Sequence, residues 1–427
     1  MKNTVSKPSR IRWALVVWVA LMGAVSYLDR VNISIAGRSI AQQFHLTNPQ
    51  LGLVFGAFAL GYALFQTAGG WVADRWGPRR ILTLGAIWWA IFTALTAAVP
   101  SGVAGAFAIL LLVRFLLGAG ESVMYPGSNR WVASWIPTAE RGLANGIIFA
   151  GVGAGAALAP PLIAAIMIRY GWRASFTICA AAGLAAGAAW YGLARDNPEG
   201  HPWVKEAELR SIRDGIEIGI GQDGRRIPWR ALFSSRDVWA LTFSYGCYGY
   251  TAYIFFAWFF IYLTAVRGLT LKSGSYYTML PFIAMSICSA LGGLASDAIR
   301  RRFGARWGRC GMGFIGLLGA AIFVAVGSSA ASPAAASFIL AGGAGSLYLA
   351  QSSYWALSAD LGGPSSGFLS GFINMGAQSA SAVSASLTPL IAARFGWQAS
   401  FNVAALFCAL GALAWLAVNP RRALRGP

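Results

Sequence analysis

Four residues of this 427-residue chain are best placed to do chemistry: Asp29, Arg30, Arg114 and Glu121. Asp29 and Arg30 stand side by side in SYLDRVNISIA, residues 26–36, within an otherwise apolar stretch. Arg114 and Glu121 lie in a second apolar stretch, seven residues apart, which is two helical turns and hence one helix face. Adjacent helical residues diverge by about 100°. Asp29 and Arg30 must therefore point different ways, one toward a ligand and the other toward a neighbouring helix. An arginine shielded from water stays charged and grips a carboxylate through two parallel N–H bonds. A carboxylate in such surroundings changes its proton affinity with desolvation and with the approach of an arginine, so it can carry a proton. The expected chemistry is anion binding at Arg30, with proton uptake and release at Asp29 and Glu121. Arg114 is expected to pair with Glu121 or Asp29 in the substrate-free protein. The alternative is a static buried ion-pair network.

The elements that must position these charges are membrane helices. Hydrophobic residues make up 57% of the chain and charged ones 11%, and mean hydropathy is +0.59; soluble domains carry about 25% charged residues. The 52 glycines suit helices packed closely through small side chains. Spans are expected near 13–37, 51–73, 81–99, 105–129, 142–167, 174–194, 238–264, 274–295, 310–329, 334–358, 367–392 and 398–418. A charge at mid-membrane costs at least about 2.5–3.5 kcal/mol. Twelve of the 14 acidic residues fall in loops or at span ends, leaving Asp29 and Glu121 inside. With Arg30 and Arg114 they form a neutral set that lowers its cost by sharing one polar cavity.

The formal charge of +19 raises nucleic-acid binding as a possibility, and its placement excludes it. With the N-terminus inside, cytoplasmic segments hold 25 Lys and Arg residues and outer loops hold six, Arg38, Arg169, Arg173, Arg267, Lys272 and Arg394. That bias is the positive-inside rule, with both termini cytoplasmic, and it suits a bacterial inner membrane. No cleavable signal peptide is expected, because the first apolar segment runs straight into a span. The five scattered cysteines show no disulfide or metal spacing, and His45 and His201 both fall in loops. No nucleophile–base pair, cofactor motif or G-x-x-x-x-G-K-[ST] loop is present, so neither an enzyme nor an ATP-driven pump is expected.

The polar stretch 195–236 separates two sets of six spans, giving expected domains at 1–194 and 237–427 around a linker. Its EAELRSIRDGIEIG portion has helical periodicity. The halves repeat each other. GWRASF at 171–176 recurs as GWQASF at 396–401, and Gly142, Gly146 and Gly151 recur as Gly367, Gly371 and Gly376. GGWVAD at 69–74 recurs as GGLASD at 292–297. Same-orientation six-span repeats place a substrate site between the halves near mid-membrane.

The run G70-x-x-x-D74-R75-x-G77-x-R79-R80 resembles the cytoplasmic signature of the major facilitator superfamily, with a degraded second copy over 293–304. The resemblance implies an all-α fold of twelve transmembrane helices in two pseudo-symmetric bundles. It also implies a conformational gate at Asp74, Arg75, Gly77, Arg79, Arg80 and Asp297 that clasps neighbouring helix ends. More narrowly, SYLDRVNISIA, Arg114 with Glu121, SNRWVASWIPTAERG and WALSAD resemble the anion:cation symporter branch, whose members carry sugar acids and other organic anions. In the resembling sugar-acid carriers the positions of Asp29, Arg30, Arg114 and Glu121 hold the roles given above. The branch also tends to put substrate contacts at the positions of Tyr27, Tyr62, Gln66, Trp355 and Asn374, with Ser352, Ser353 and Gln378 nearby. For any one of the aromatics, helix packing explains the residue equally well.

The expectation is proton-coupled symport of an organic monocarboxylate, such as a hexonate or hexuronate, by a monomer without cofactor. Departures from the sugar-acid pattern favour other anions. Val152 replaces a glutamine, Ala257 a threonine and Phe260 a proline, while Tyr245, Tyr248, Tyr250 and Tyr253 supply phenols in the seventh span. Fewer small polar groups suit a less hydroxylated anion, because each buried unpaired hydroxyl costs free energy. Phthalate-, hydroxyphenylacetate- or tartrate-like carboxylates, and proton-independent uniport or exchange, are the alternatives.

Overall fold

The computed structural model describes residues 9–216, 229–259 and 262–420, and these are helical almost throughout. Helix α1 (Ile11–Phe44) leaves the face that carries both described chain ends, here the termini face, and α2 (Asn48–Trp76) returns to it. Next come α3 (Pro78–Ala98), α4 (Ala106–Glu121), α5 (Met124–Trp135) and α6 (Arg141–Leu193). Two short helices follow, α7 (Glu206–Gly215) and α8 (Trp229–Ser234). The second half contains α9 (Arg236–Ala257), α10 (Leu271–Phe303), α11 (Met312–Ser328), α12 (Pro333–Gly362), α13 (Ser366–Phe395) and α14 (Trp397–Leu416).

Ten stretches of the described residues are long and apolar enough to cross a membrane. One of them, Pro333–Ser384, covers both α12 and α13, and α9 completes twelve crossings. The seventh-span expectation extends past Ala257, and Phe260 lies outside the described residues. Outward-facing Leu53, Leu60 and Leu64 on α2, like Ile315 and Ile322 on α11, are more than half exposed. Apolar surface of that kind is stable against lipid tails and not against water.

The repeated motifs mark the joints of this architecture. Helix α6 holds the fifth and sixth spans, separated where Gly171 takes φ 80°. Gly396, the matching residue of the second half, takes φ 83° between α13 and α14. A side chain is strained at such angles, so each GW-x-ASF begins with the one residue that turns freely there. The repeated GG-x-x-x-D has a different role. A Cβ on Gly70 would lie 2.0 Å from the Gly367 carbonyl oxygen, and one on Gly293 would lie 2.2 Å from that of Gly142. Backbone therefore meets backbone at two pseudo-symmetric seams, α2 with α13 and α10 with α6. Both seams join the first half to the second.

The fourth span departs from the expected uninterrupted helix over 105–129. It breaks at Ser122–Val123 and runs on to Trp135. Pro126 explains the break: it has no N–H to donate, and its ring collides with the carbonyl four residues back, that of Ser122. The freed Ser122 carbonyl accepts a hydrogen bond from Gln66 Nε2 at 3.1 Å. The break leaves Glu121 as the last residue of α4.

In the polar connection, the expected helix is α7, while residues 217–219 of its motif lie outside the described residues. Glu208 of α7 is buried and accepts the backbone N–H groups of Ile11 and Arg12, both at 3.2 Å. Those are first-turn donors of α1, which a carboxylate satisfies and the helix dipole favours.

Candidate functional site

Arg30 and Asp29 diverge as their adjacency requires. Asp29 points into the first bundle, where one carboxylate oxygen accepts the Thr93 hydroxyl of α3. One turn further along, Asn32 accepts from Ser175 of α6 at 2.8 Å. Arg30 points toward the seam between the halves. Its guanidinium lies 4.7, 5.1 and 4.4 Å from the ring centres of Tyr27, Phe58 and Tyr62, a cation–π cage. Tyr27 in turn packs on Phe256 of α9, with centroids 5.8 Å apart.

The ion pair of the site joins Arg30 Nη2 to Glu121 Oε1 at 2.9 Å. Ser26, four residues before Arg30 and on the same helix face, donates to that same oxygen at 2.5 Å. The expected pairing of Arg114 with Glu121 or Asp29 is not observed: Arg114 sits over Phe58 at 5.1 Å, and its Nε and Nη1 have no hydrogen-bond partner. Helical rise accounts for this. Seven residues put Arg114 and Glu121 on one face but about 10 Å apart along the axis, whereas α1 brings Arg30 level with Glu121. Asp29, Arg114 and Glu121 are each 1% exposed, while the Arg30 side chain retains 19%.

Of the remaining expected contacts, Gln66 and Asn374 bridge the two halves, with Asn374 Nδ2 donating to Gln66 Oε1 at 2.8 Å. The Trp355 indole packs against Tyr125 and Phe149 of the first half, and its Nε1 donates to Tyr245 at 2.9 Å. Tyr253 is partly exposed on α9. Several buried polar atoms around this region carry no protein partner: Tyr62 and Tyr125 hydroxyls, Arg30 Nε, Glu121 Oε2 and Asp29 Oδ1. Buried polar groups are nearly always paired, with protein or with water, so this cluster is where the protein leaves hydrogen-bonding capacity open.

A second set of charges lies at the termini face. Asp74, at the end of α2, accepts the N–H groups of Gly367 and Phe368 at 3.0 and 2.8 Å. Asp297, its repeat partner, accepts those of Gly142 and Leu143 at 3.0 and 2.6 Å. Each carboxylate thus caps the first turn of a helix belonging to the opposite half. The motif arginines have other positions. Arg75 lies over Trp71 of its own helix and Arg80 is exposed. Arg79 bonds through its backbone to Asp196 and through its side chain to the Tyr191 carbonyl, beside the positive-φ Gly77. Arg130 pairs with Asp74 at 3.6 Å.

In the sequence, Arg130, Arg141 and Arg309 are distinguished by nothing from the other cytoplasmic basic residues. Arg309 is fully buried, bonded to Asp297 at 2.7 Å, to Asp360 at 3.3 Å and to the Thr138 carbonyl of the first half. Arg141 reaches Asp360 from the first half at 2.9 Å. The signal for Ser26 was its spacing of four from Arg30. For Thr93, Phe58 and Tyr125 no signal distinguishes a partner from a packing residue.

A twelve-crossing bundle with a charged site at the seam of two repeated halves defines a membrane carrier. The chain belongs to the Major Facilitator Superfamily, whose profile matches residues 19–385. It is therefore a multi-pass membrane transporter and not an enzyme. It is 35% identical to a probable sulfoacetate transporter of Cupriavidus necator, over 96% of this chain and 94% of that one. It is 28% identical to a hexuronate transporter of Bacillus subtilis, over 91% and 90%. Among solved structures, a proton:xylose symporter bound to 6-bromo-6-deoxy-D-glucose superposes with a TM-score of 0.77 at 17% identity, covering 95% of both chains.

Proposed function

We propose that this protein is a proton-coupled symporter of a small organic anion, working by alternating access in a bacterial inner membrane with the termini face cytoplasmic. The observation that carries this reading is Arg30: partly exposed at the seam, caged by three aromatic rings and held on one side by Glu121. A carboxylate or sulfonate bound there displaces Glu121 from the guanidinium, and the displaced glutamate takes up a proton. Asp29 is the second proton carrier, and Arg114 supplies a fixed charge within reach of both. With both acids ionised the four residues sum to zero. With both protonated they leave two positive charges, which match a dianion. Neutrality matters because an unbalanced buried charge costs several kcal/mol.

Short, sparsely hydroxylated anions of the sulfoacetate kind are the favoured substrates. Two points support them: the phenol-rich α9, and the 35% identical relative named for sulfoacetate. The two bundles, 1–194 and 237–427, are the units that move, joined by 195–236. Competition uptake into proteoliposomes tests the substrate. Sulfoacetate is expected to compete about tenfold or more better than glucuronate, and the reverse order returns the assignment to sugar acids.

The coupling has its own test. An Asp29→Asn, Glu121→Gln double variant is expected to lose accumulation driven by an inward proton gradient while still exchanging labelled for unlabelled anion. Proton-driven accumulation at the wild-type level in that variant overturns the assignment of both acids.

A further inference from the structure

The hydrogen bond from Asn374 to Gln66 does not end at the seam. Gln66 Oε1 accepts Asn374 Nδ2 at 2.8 Å, and Gln66 Nε2 donates to the Ser122 carbonyl at 3.1 Å. All three residues are buried. The carbonyl at the end of this chain fixes the orientation of both amides. A backbone carbonyl only accepts, so the NH2 group of Gln66 must face Ser122. Its oxygen must then face Asn374, which must present an NH2 group of its own. Turning Gln66 over would set oxygen against oxygen at Ser122, and turning Asn374 over would do the same at Gln66.

One end of the chain is the break in the fourth span. Pro126 deprives the Ser122 carbonyl of its helical donor, and Gln66 replaces it. Ser122 follows Glu121, the last residue of α4. The bond therefore holds the backbone next to the carboxylate that pairs with Arg30 at 2.9 Å. Helix α2 also packs closely on the break: a Cβ on Gly69, one turn from Gln66, would lie 2.9 Å from Val123 Cγ1 and 3.3 Å from its Cα. The other end of the chain belongs to the second half. A Cβ on Gly371, one turn from Asn374, would lie 2.5 Å from the Gln66 carbonyl oxygen. At this height α13 lies backbone to backbone on α2, and a hydrogen bond of 2.8 Å does not survive separation of the backbones that carry it.

We propose that Gln66 is a positioning residue that couples the seam between the halves to the proton site. While the seam is closed, Asn374 holds the Gln66 oxygen, and the Gln66 NH2 group holds the Glu121 end of α4 level with Arg30. When the seam opens, Gln66 loses Asn374, its hold on the Ser122 carbonyl slackens, and Glu121 leaves Arg30 more readily. Such coupling is reciprocal, so displacement and protonation of Glu121 favour opening. Gln66 and Asn374 thus act through Glu121, a role different from the ligand contacts that the family resemblance implies. This inference rests on the reading of Glu121 as a proton carrier.

The test uses purified full-length protein, in which Glu121→Gln imitates the protonated acid. Spin labels at the exposed positions 80 and 302 measure the population open at the termini face. Coupling between sites commonly amounts to about 5- to 150-fold, so Glu121→Gln is expected to raise the open-to-closed ratio by about tenfold in the otherwise wild-type protein and by less than about twofold in Gln66→Leu. A residue that only packs would change the starting ratio and leave the response to Glu121→Gln intact. If Gln66→Leu does not fold, Asn374→Leu, which keeps the bond from Gln66 to Ser122, is expected to blunt the response in the same way. A full response in whichever variant folds, or no response in the wild-type background, overturns the coupling role. Failure of the underlying reading looks different: Glu121→Gln alone would then retain proton-driven accumulation in proteoliposomes, which removes the proton site that Gln66 serves.

Discussion

Replacing Arg30 by lysine is expected to weaken binding of sulfoacetate by about 100-fold while leaving the protein folded. Lysine keeps the charge, so Glu121 retains a counter-ion and the buried site stays balanced. It loses the planar fork that grips two oxygens of a bound carboxylate or sulfonate once Glu121 has been displaced. It also loses the flat face that packs among Tyr27, Phe58 and Tyr62. One charge-assisted hydrogen bond is worth about 1.5–3 kcal/mol, and each 1.4 kcal/mol is about tenfold in affinity. Arg30→Gln is a poorer test, because it leaves Glu121 buried without a counter-charge, a loss of about 3–5 kcal/mol that would fall on stability as well. Titration of the lysine variant with sulfoacetate, read by thermal shift, checks the prediction. Undiminished affinity would mean that Arg30 serves only to hold Glu121.

The sequence showed those parts of the site that contradict their surroundings. A charge in an apolar span is such a contradiction, so Asp29, Arg30, Arg114 and Glu121 were legible, and so was the divergence of the first two. Repetition showed the joints: Gly70, Gly293, Gly171 and Gly396 were marked before their close contacts and positive φ angles were known. The residues missed agree with their surroundings. A basic residue at a helix end looks the same whether solvated, like Arg80, or buried in a clasp, like Arg309. A tyrosine in a membrane helix looks the same whether it packs or, like Tyr245, receives two hydrogen bonds. The Arg114 pairing failed for a third reason: periodicity gives the face of a helix and says nothing of the height at which a neighbouring helix presents its side chains. Pro126 was visible throughout, and its effect on the Ser122 carbonyl could have been read from steric rules alone.

The termini-face clasp carries the other large expected effect. Asp297→Asn is expected to shift the equilibrium between the conformation described here and one open at the termini face by about 100-fold or more toward opening. In the closed arrangement Asp297 satisfies two N–H groups of α6 and the guanidinium of Arg309. Asparagine keeps one acceptor and removes the charge, leaving Arg309 to share Asp360 with Arg141. Removing one partner of a buried pair costs about 3–5 kcal/mol. That cost falls on the closed form alone, since water solvates the same groups once the seam opens. Gly70→Ala reaches the same end by a different route: its Cβ would overlap the Gly367 carbonyl at the other seam, and only while that seam is closed. Spin labels at the exposed positions 80 and 302, one in each half, report the change as a longer distance population in both variants. An electrostatic substitution and a steric one share nothing but the seams they hold shut. Agreement between them identifies closure of the halves as the property lost, and an unchanged distance distribution in both would show that these contacts stabilise the bundles without governing their motion.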